Sequence, residues 1–368
     1  MSKSAYIHIP FCSSICTYCD FCKMYYSENL VDKYLEGLEK EITKNYKKEV
    51  LNTIYIGGGT PSCLSSEQLK RLFSITNKLS INKNYEFTIE LNINDITEEK
   101  LIIFKESKVN RLSIGIETIN EKHLKFLNRK HSKEEVINNI NLTKKYFSNI
   151  NIDLMYAFPN QTLKELKEDL FFIKSLNTNH ISIYSLIIEE HTKIYIDKTK
   201  PLNEDIEEKM YYFIINYLKE MGYNHYEISN FAKPSYESKH NLTYWNNNEY
   251  YGFGLGASGY IDNIRYTNTR SINKYLTGEY TIEKCLIDKK IKMENHMILG
   301  LRKINGIKKE DFNKIYNLDI EEVFDIIKLE KQKLITNDNG YIKIPANLLY
   351  IQNSILVNFI EGVKNSDE

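Results

Sequence analysis

Four of the six cysteines in this 368-residue chain fall within eleven positions: Cys12, Cys16, Cys19 and Cys22. The first three have the spacing C-x3-C-x2-C. Three thiolates on one short loop can ligate three irons of a [4Fe–4S] cubane and leave the fourth iron open. An open iron can chelate the amino and carboxylate groups of S-adenosylmethionine. An electron passed into the sulfonium then breaks a C–S bond and yields the 5′-deoxyadenosyl radical. In such chemistry the cofactors react, while the protein positions them and excludes water. Zinc is the competing reading, because Cys16/Cys19 and Cys19/Cys22 form overlapping C-x2-C pairs. Zinc sites, however, commonly separate their pairs by a longer spacer. Cys63 and Cys285 stand alone and read as small buried hydrophobes.

The elements that must hold this loop alternate in type. Strand patterns occur at 5–9, 53–56, 86–91, 111–116, 151–156 and 180–186, with amphipathic helical patterns at 30–44, 66–79, 134–146 and 163–176. Strands alternating with helices imply right-handed βαβ units and a parallel sheet. Six units predict an open, partial (β/α)6 barrel, whose chemistry belongs at the carboxyl ends of the strands. The cysteines follow the first strand and the run GGGTPS (57–62) follows the second. Glu90 and Asn92 close the third, Glu117 follows the fourth, and Asp153 lies in the fifth. The polar features thereby gather on one face.

After about residue 195 the pattern changes. A helix is expected over 203–221, stopped by Gly222, and a Tyr-, Asn- and Gly-rich stretch (226–275) predicts short strands and loops. Helical patterns at 291–301, 308–315 and 320–333 then precede a strand at 341–344. The expected division is a core domain (1–195), an α+β extension (196–288) and a winged-helix-like unit (289–368).

Lys+Arg and Asp+Glu are equal at 49 each, so no net field favours nucleic acid, and the winged unit reads as a packing or partner surface. The N-terminal residues carry no long apolar run or cleavage site, and nothing approaches the ~20 apolar residues of a membrane span. The expected compartment is the cytoplasm, where thiols stay reduced.

With these residues in view, the chain resembles the radical SAM proteins of the anaerobic coproporphyrinogen III oxidase family. The likeness is carried by YIHIPFC (6–12) with CTYCDF (16–21), by GGGTPS, and by VNRLSIG (109–115). It continues through DLMYAFPNQT (153–162), HISIYSL (180–186), YEISNFA (226–232), HNLTYW (240–245) and YGFGLGA (251–257). The resemblance implies a [4Fe–4S] cluster on Cys12, Cys16 and Cys19. It also implies S-adenosylmethionine contacts at Tyr6, Tyr18, Gly58, Gly59, Thr60, Glu90, Glu117, Arg129 and Asp153. Glu117 stands where the family usually has Gln, and a carboxylate cannot donate the bonds an amide can. Asn128 likewise stands where Gly is usual.

The family has an oxidase branch, which serves porphyrin biosynthesis, and a heme-chaperone branch. The oxidase pattern adds a fourth cysteine two residues after the third and an N-terminal extension. Here Phe21 occupies that position, the extra thiol is Cys22, and eleven residues precede Cys12. The chaperone reading therefore comes first, with heme and a heme-acceptor protein as partners. A flavodoxin- or ferredoxin-type reductant and peripheral contact with membrane proteins are further expectations. On this reading His240 of the HNxxYW motif is the first candidate for the heme iron, with Tyr244 and Trp245 to pack on the porphyrin. The alternative is that His240 and Asn241 anchor a loop while Trp245 fills the core. His8, His180 and His225 read as structural, and GFGLG (252–256) lacks a dinucleotide spacing.

Overall fold

The computed structural model describes residues 3–363. Six strands run parallel and in chain order: β1 (Lys3–Ile9), β2 (Leu51–Gly58), β3 (Ile81–Asn92), β4 (Arg111–Glu117), β5 (Ile150–Tyr156) and β6 (His180–Ser185). Alternate residues of each strand meet the helical layer. Ile7, Ile54, Ile56, Ile89, Leu91, Leu112, Ile114, Ile152, Leu154, Ile181 and Ile183 are all buried there. The helices between them are α1 (Glu28–Asn45), α2 (Ser66–Thr76), α3 (Glu98–Glu106), α4 (Glu121–Leu127), α5 (Lys133–Lys144) and α6 (Leu163–Leu176). Ser65, Ser132 and Thr162 start α2, α5 and α6 with capping boxes closed by Gln68, Glu135 and Glu165.

The other face of these strands is polar. The register sets Thr88 beside Arg111, Glu90 beside Ser113, Ser113 beside Asn151, and Asp153 beside Ser182. A parallel sheet covered on both faces normally reads as continuous apolar runs. Here the concave face departs from that rule, as an interior built to hold a polar ligand must.

The chain after residue 196 extends this sheet at both edges. The helix α7 (Glu204–Glu220) ends at Met221 and Gly222, the latter at φ +82°. Strands β7 (Asn224–Glu227) and β8 (Asn230–Ala232) add antiparallel beyond β6. On the far side β9 (Tyr250–Phe253) pairs parallel with β1, and β10 (Ser258–Ile261), β11 (Ile264–Asn268) and β12 (Thr281–Leu286) follow antiparallel. The order is β12-β11-β10-β9-β1-β2-β3-β4-β5-β6-β8-β7, a partial barrel with two open edges. The C-terminal unit combines helices Lys289–Gly300 and Lys309–Tyr316 with a small three-stranded antiparallel wing, whose first strand, Ile307–Lys308, lies between them and whose other two, Thr336–Asp338 and Tyr341–Lys343, follow. No helix among the described residues is long and apolar enough to cross a membrane.

Three expectations need correction. HNxxYW lies on a helix, α8 (Lys239–Trp245), because Ser238 caps it by accepting from the Asn241 amide. The single helix expected over 320–333 breaks into Ile320–Val323 and Ile326–Lys331. Phe324, buried in the core, takes an extended conformation, and Asp325 caps a new start. Cys285 is exposed rather than buried, since edge strand β12 has nothing packed on its outer side among the described residues.

One buried acid steadies the turn leaving β4. Asp169 on α6 accepts from the Thr118 hydroxyl at 2.9 and 3.1 Å and from the Ile119 amide at 2.7 Å. Asp169→Ala strands these buried donors and is expected to cost about 1–3 kcal/mol. A urea titration that leaves the unfolding midpoint unchanged would refute this.

Candidate functional site

The cysteine loop leaves β1 through the short strand Phe11–Cys12 and returns through Met24–Tyr25, which pairs parallel with it. Its base is tied by Met24 N–H to Pro10 O (2.7 Å) and Tyr26 N–H to Cys12 O (2.9 Å). Its tip is clamped to the end of α4. The Thr17 hydroxyl donates to Phe126 O (2.8 Å), and Asn128 Nδ2 donates to Ile15 O (2.9 Å). Asn128 ends α4 at φ +60°, a left-handed cap that Asn tolerates nearly as well as Gly. The departure at 128 thereby keeps the turn and adds a bond to the loop.

Cys12, Cys16 and Cys19 line one cavity of about 390 Å³ at the carboxyl ends of the strands. The GGGTPS run crosses beside them, with Gly59 N–H bonded to Ile9 O and Thr60 N–H to Phe11 O, both at 2.8 Å. A Cβ on Gly59 would lie 2.8 Å from Phe11 O and 2.9 Å from Cys12 Sγ, so only glycine lets this strand end pass. Burial pushes the Cys12 thiol up to about 11 and raises Cys16 and Cys19. Thr60 at 3.6 Å from Cys12 Sγ and Arg129 at 3.9 Å from Cys16 Sγ act in the opposite sense. Bound iron would supply the positive charge that three thiolates need. Among the described residues no three His, Cys, Asp or Glu side chains converge on a single ion. A cubane does not ask that of them, since it takes one thiolate at each of three separate irons.

Three carboxylates face this cavity. Glu90 accepts from the Tyr55 hydroxyl (2.7 Å) and the Gly58 amide (3.0 Å), and burial still pushes it up to about 7. Asp153, raised by burial, accepts from Ser113 Oγ (3.0 Å) and Asn151 Nδ2 (2.8 Å). Glu117, also pushed by burial to about 7, sits at φ +68° with Oε1 3.5 Å from an Arg129 nitrogen. Arg129 donates to Gly115 O at 2.6 Å and so is fixed in place. The acid at 117 is thus answered by a cation rather than left to donate. This polar wall suits a ligand carrying an ammonium, a sulfonium and ribose hydroxyls.

Tyr18, Gly58, Gly59, Thr60, Glu90, Glu117, Arg129 and Asp153 all border the cavity with the three cysteines. Tyr6, His240 and Cys22 do not. The Tyr6 hydroxyl bonds His8 Nδ1 at 3.0 Å, and the Cys22 carbonyl bonds His8 Nε2 at 2.7 Å. His240 is buried beneath the barrel, with Nδ1 2.6 Å from Thr53 Oγ1 and Nε2 2.8 Å from the Tyr244 hydroxyl. Both ring nitrogens are engaged, the ring stacks on Tyr55, and burial holds it neutral with its pKa near 3. This is the anchoring arrangement that the sequence also allowed, and it presents no face to an iron. Glu86 accepts the Lys239 and His240 amides at 3.0 and 2.9 Å, fixing α8 as a barrel floor from which Asn241 reaches the cavity. His240→Ala is expected to lower unfolding free energy by about 1–3 kcal/mol while cluster iron stays constant. Loss of iron with unchanged stability would contradict that placement.

Sequence reasoning missed Tyr55, Arg111, Ser113, Asn151, Ser182, Tyr184 and Asn241, all on the cavity wall. For the strand residues the signal was present as i, i+2 polar alternation in strands whose other face is wholly apolar, whereas Asn241 on α8 gave no such signal.

Fold and site together define a radical SAM protein. The radical SAM superfamily profile matches residues 6–173, and the HemN C-terminal domain profile matches residues 287–347. Heme chaperone HemW of Lactococcus lactis is 41% identical over 97% of each chain. Heme chaperone HemW of Bacillus subtilis is 38% identical over 97% of this chain and 99% of its own. Among solved structures, coproporphyrinogen III oxidase (HemN) from Escherichia coli, described as a radical SAM enzyme, superposes with a TM-score of 0.85. It covers 97% of this chain and 90% of its own at 21% identity, and so speaks for the fold. The chain belongs to the HemW family within the radical SAM superfamily.

Proposed function

We propose that this protein is a heme chaperone that binds heme, carries an S-adenosylmethionine-coordinated [4Fe–4S] cluster and passes heme to an acceptor protein. The observation that carries the reading is whole-length similarity, 97% of both chains, to a relative named as a heme chaperone. Phe21, 63% exposed at the position where the oxidase pattern has its fourth cysteine, is in keeping with it. A [4Fe–4S] cluster on Cys12, Cys16 and Cys19 would supply an open iron and an electron. Glu90 and Asp153 would accept bonds from the ligand's ammonium or ribose hydroxyls, and Arg129 would hold Glu117 and the loop of Cys16 together. Gly58 and Gly59 would let the methionyl portion approach the backbone. A flavodoxin- or ferredoxin-type protein would serve as reductant in the cytoplasm, and contact with membrane-bound acceptors would be peripheral.

The test incubates the cluster-loaded protein with coproporphyrinogen III, S-adenosylmethionine and reductant, and separately titrates it with heme. The expected result is saturable heme binding with no protoporphyrinogen IX. Clean conversion of coproporphyrinogen III would move the protein to the oxidase branch.

A further inference from the structure

The cavity beside the cysteines, at about 390 Å³, has room for one ligand the size of S-adenosylmethionine. A metalloporphyrin is larger and flat. A second depression of about 840 Å³ opens next to that cavity and shares Ser185 and Ile187 with it. It is built by the end of β6, the loop that follows, and the one-turn helix Lys193–Ile196.

Its walls are apolar where a soluble surface is normally polar. Ile187 is 62% exposed and Ile196 70%, with Leu186, Ile188 and Pro201 behind them. Contiguous exposed apolar surface of this kind marks a binding site. Five polar side chains punctuate it: Ser185, Thr199, Glu207, Lys198 and Tyr195. Burial raises the Glu207 carboxyl, and the Ser185 hydroxyl beside it acts in the opposite sense. The Lys198 ammonium and the Tyr195 hydroxyl have no partner among the described residues. An apolar seat with one free cation and one free phenol complements a planar ring bearing carboxylates and an iron.

We infer that this depression is where heme is held. The ring lies against Ile187 and Ile196, Lys198 meets a propionate, and the Tyr195 oxygen takes an axial position on the iron, as Tyr does in some heme proteins. The inference rests on the heme-chaperone reading and adds the seat, its contacts and the ligand. It also accounts for His240, which the structure has turned to anchoring the barrel floor. The seat adjoins the cluster cavity, so heme and S-adenosylmethionine would touch across Ser185 and Ile187.

The test is a heme titration of the full chain, purified without oxygen and followed by the Soret band. Ile187→Glu and Ile196→Glu place a carboxylate against the ring and are expected to weaken binding about tenfold or more. Tyr195→Phe is expected to change the ferric spectrum, while His191→Ala, in the exposed loop before it, leaves the spectrum unchanged. Ile327→Glu, a control at a position 60% exposed in the C-terminal unit, should bind heme as the unsubstituted protein does. Iron and sulfide content and the thermal melt report whether each variant is folded and loaded. Equal binding by the groove variants, or a spectrum that responds to His191 rather than Tyr195, would overturn the assignment while leaving the chaperone reading intact. Failure of the unsubstituted protein to bind heme would remove both.

Discussion

Cys12→Ser, Cys16→Ser and Cys19→Ser proteins are each expected to lose the cluster, with iron and sulfide falling from about four per chain to near none. The visible absorbance of the iron–sulfur chromophore should vanish with them. The reason is geometric as well as chemical. The three sulfurs share one cavity wall on a loop tied at both base and tip, so no other thiol can move in to replace one. Cys22 lies nearest in sequence but is held elsewhere. Its carbonyl bonds His8, and its side chain packs where a Cβ on Gly256 would come within 2.6 Å. Cys22→Ser should therefore keep full iron and sulfide. Loss of the cluster from Cys22→Ser with retention in any of the other three would contradict the ligand set.

The second large effect concerns Glu90. Glu90→Gln keeps one acceptor oxygen, which the Gly58 amide requires, turns its –NH2 to the Tyr55 hydroxyl oxygen, and removes the anion from the cavity. Charged hydrogen bonds contribute about 1.5–3 kcal/mol, so S-adenosylmethionine binding is expected to fall about 10–100-fold. The pH dependence supplies a second signature. Burial holds the Glu90 carboxyl near 7, above the ordinary carboxylate range. Binding of a cationic ligand to the ionised form should therefore strengthen as pH rises toward 7, by about tenfold per unit, and level off above it. The unliganded fold runs the other way. A carboxyl raised by burial penalises the charged state, so stability is gained as pH falls from 7 toward the unfolded value and the penalty is complete above 7. Glu117 titrates in the same range, so the comparison is cleanest with Glu117→Gln in both proteins. Anaerobic calorimetry should show a flat pH profile for the Glu90→Gln pair member. An unchanged, still pH-dependent affinity would refute the role of Glu90.

Much of the site could be read before any coordinates. The strands at 53–56, 86–91, 111–116 and 151–156 announce themselves by β-branched runs, and the strand-end rule then collects the cysteines, GGGTPS, Glu90, Glu117 and Asp153 at one mouth. What escaped notice depends on register and packing. Arg111, Asn151 and Ser182 read as ordinary strand polarity until the pairing stacks them on the concave face. HNLTYW contains a β-branched Thr and two aromatics, a composition that favours strands. Only the Ser238 cap and the Glu86 carboxylate make it a helix. The same helix decides the role of His240, whose partners are Tyr244, one turn further on, and Thr53, 187 residues earlier in the chain. No local pattern could show that both ring nitrogens are taken. Phe324 reads as part of a helical stripe, but tertiary burial outweighs propensity there and splits the helix.

The central claim joins a cysteine-bound cluster to heme carriage, and one anaerobic preparation loaded with heme measures both at once. Iron, acid-labile sulfide, zinc and heme are determined per chain on the same sample. The expected composition is about four cluster irons, about four sulfides and one heme, with no zinc. Stoichiometric zinc without sulfide, or a full cluster on a protein that retains no heme, would contradict the account.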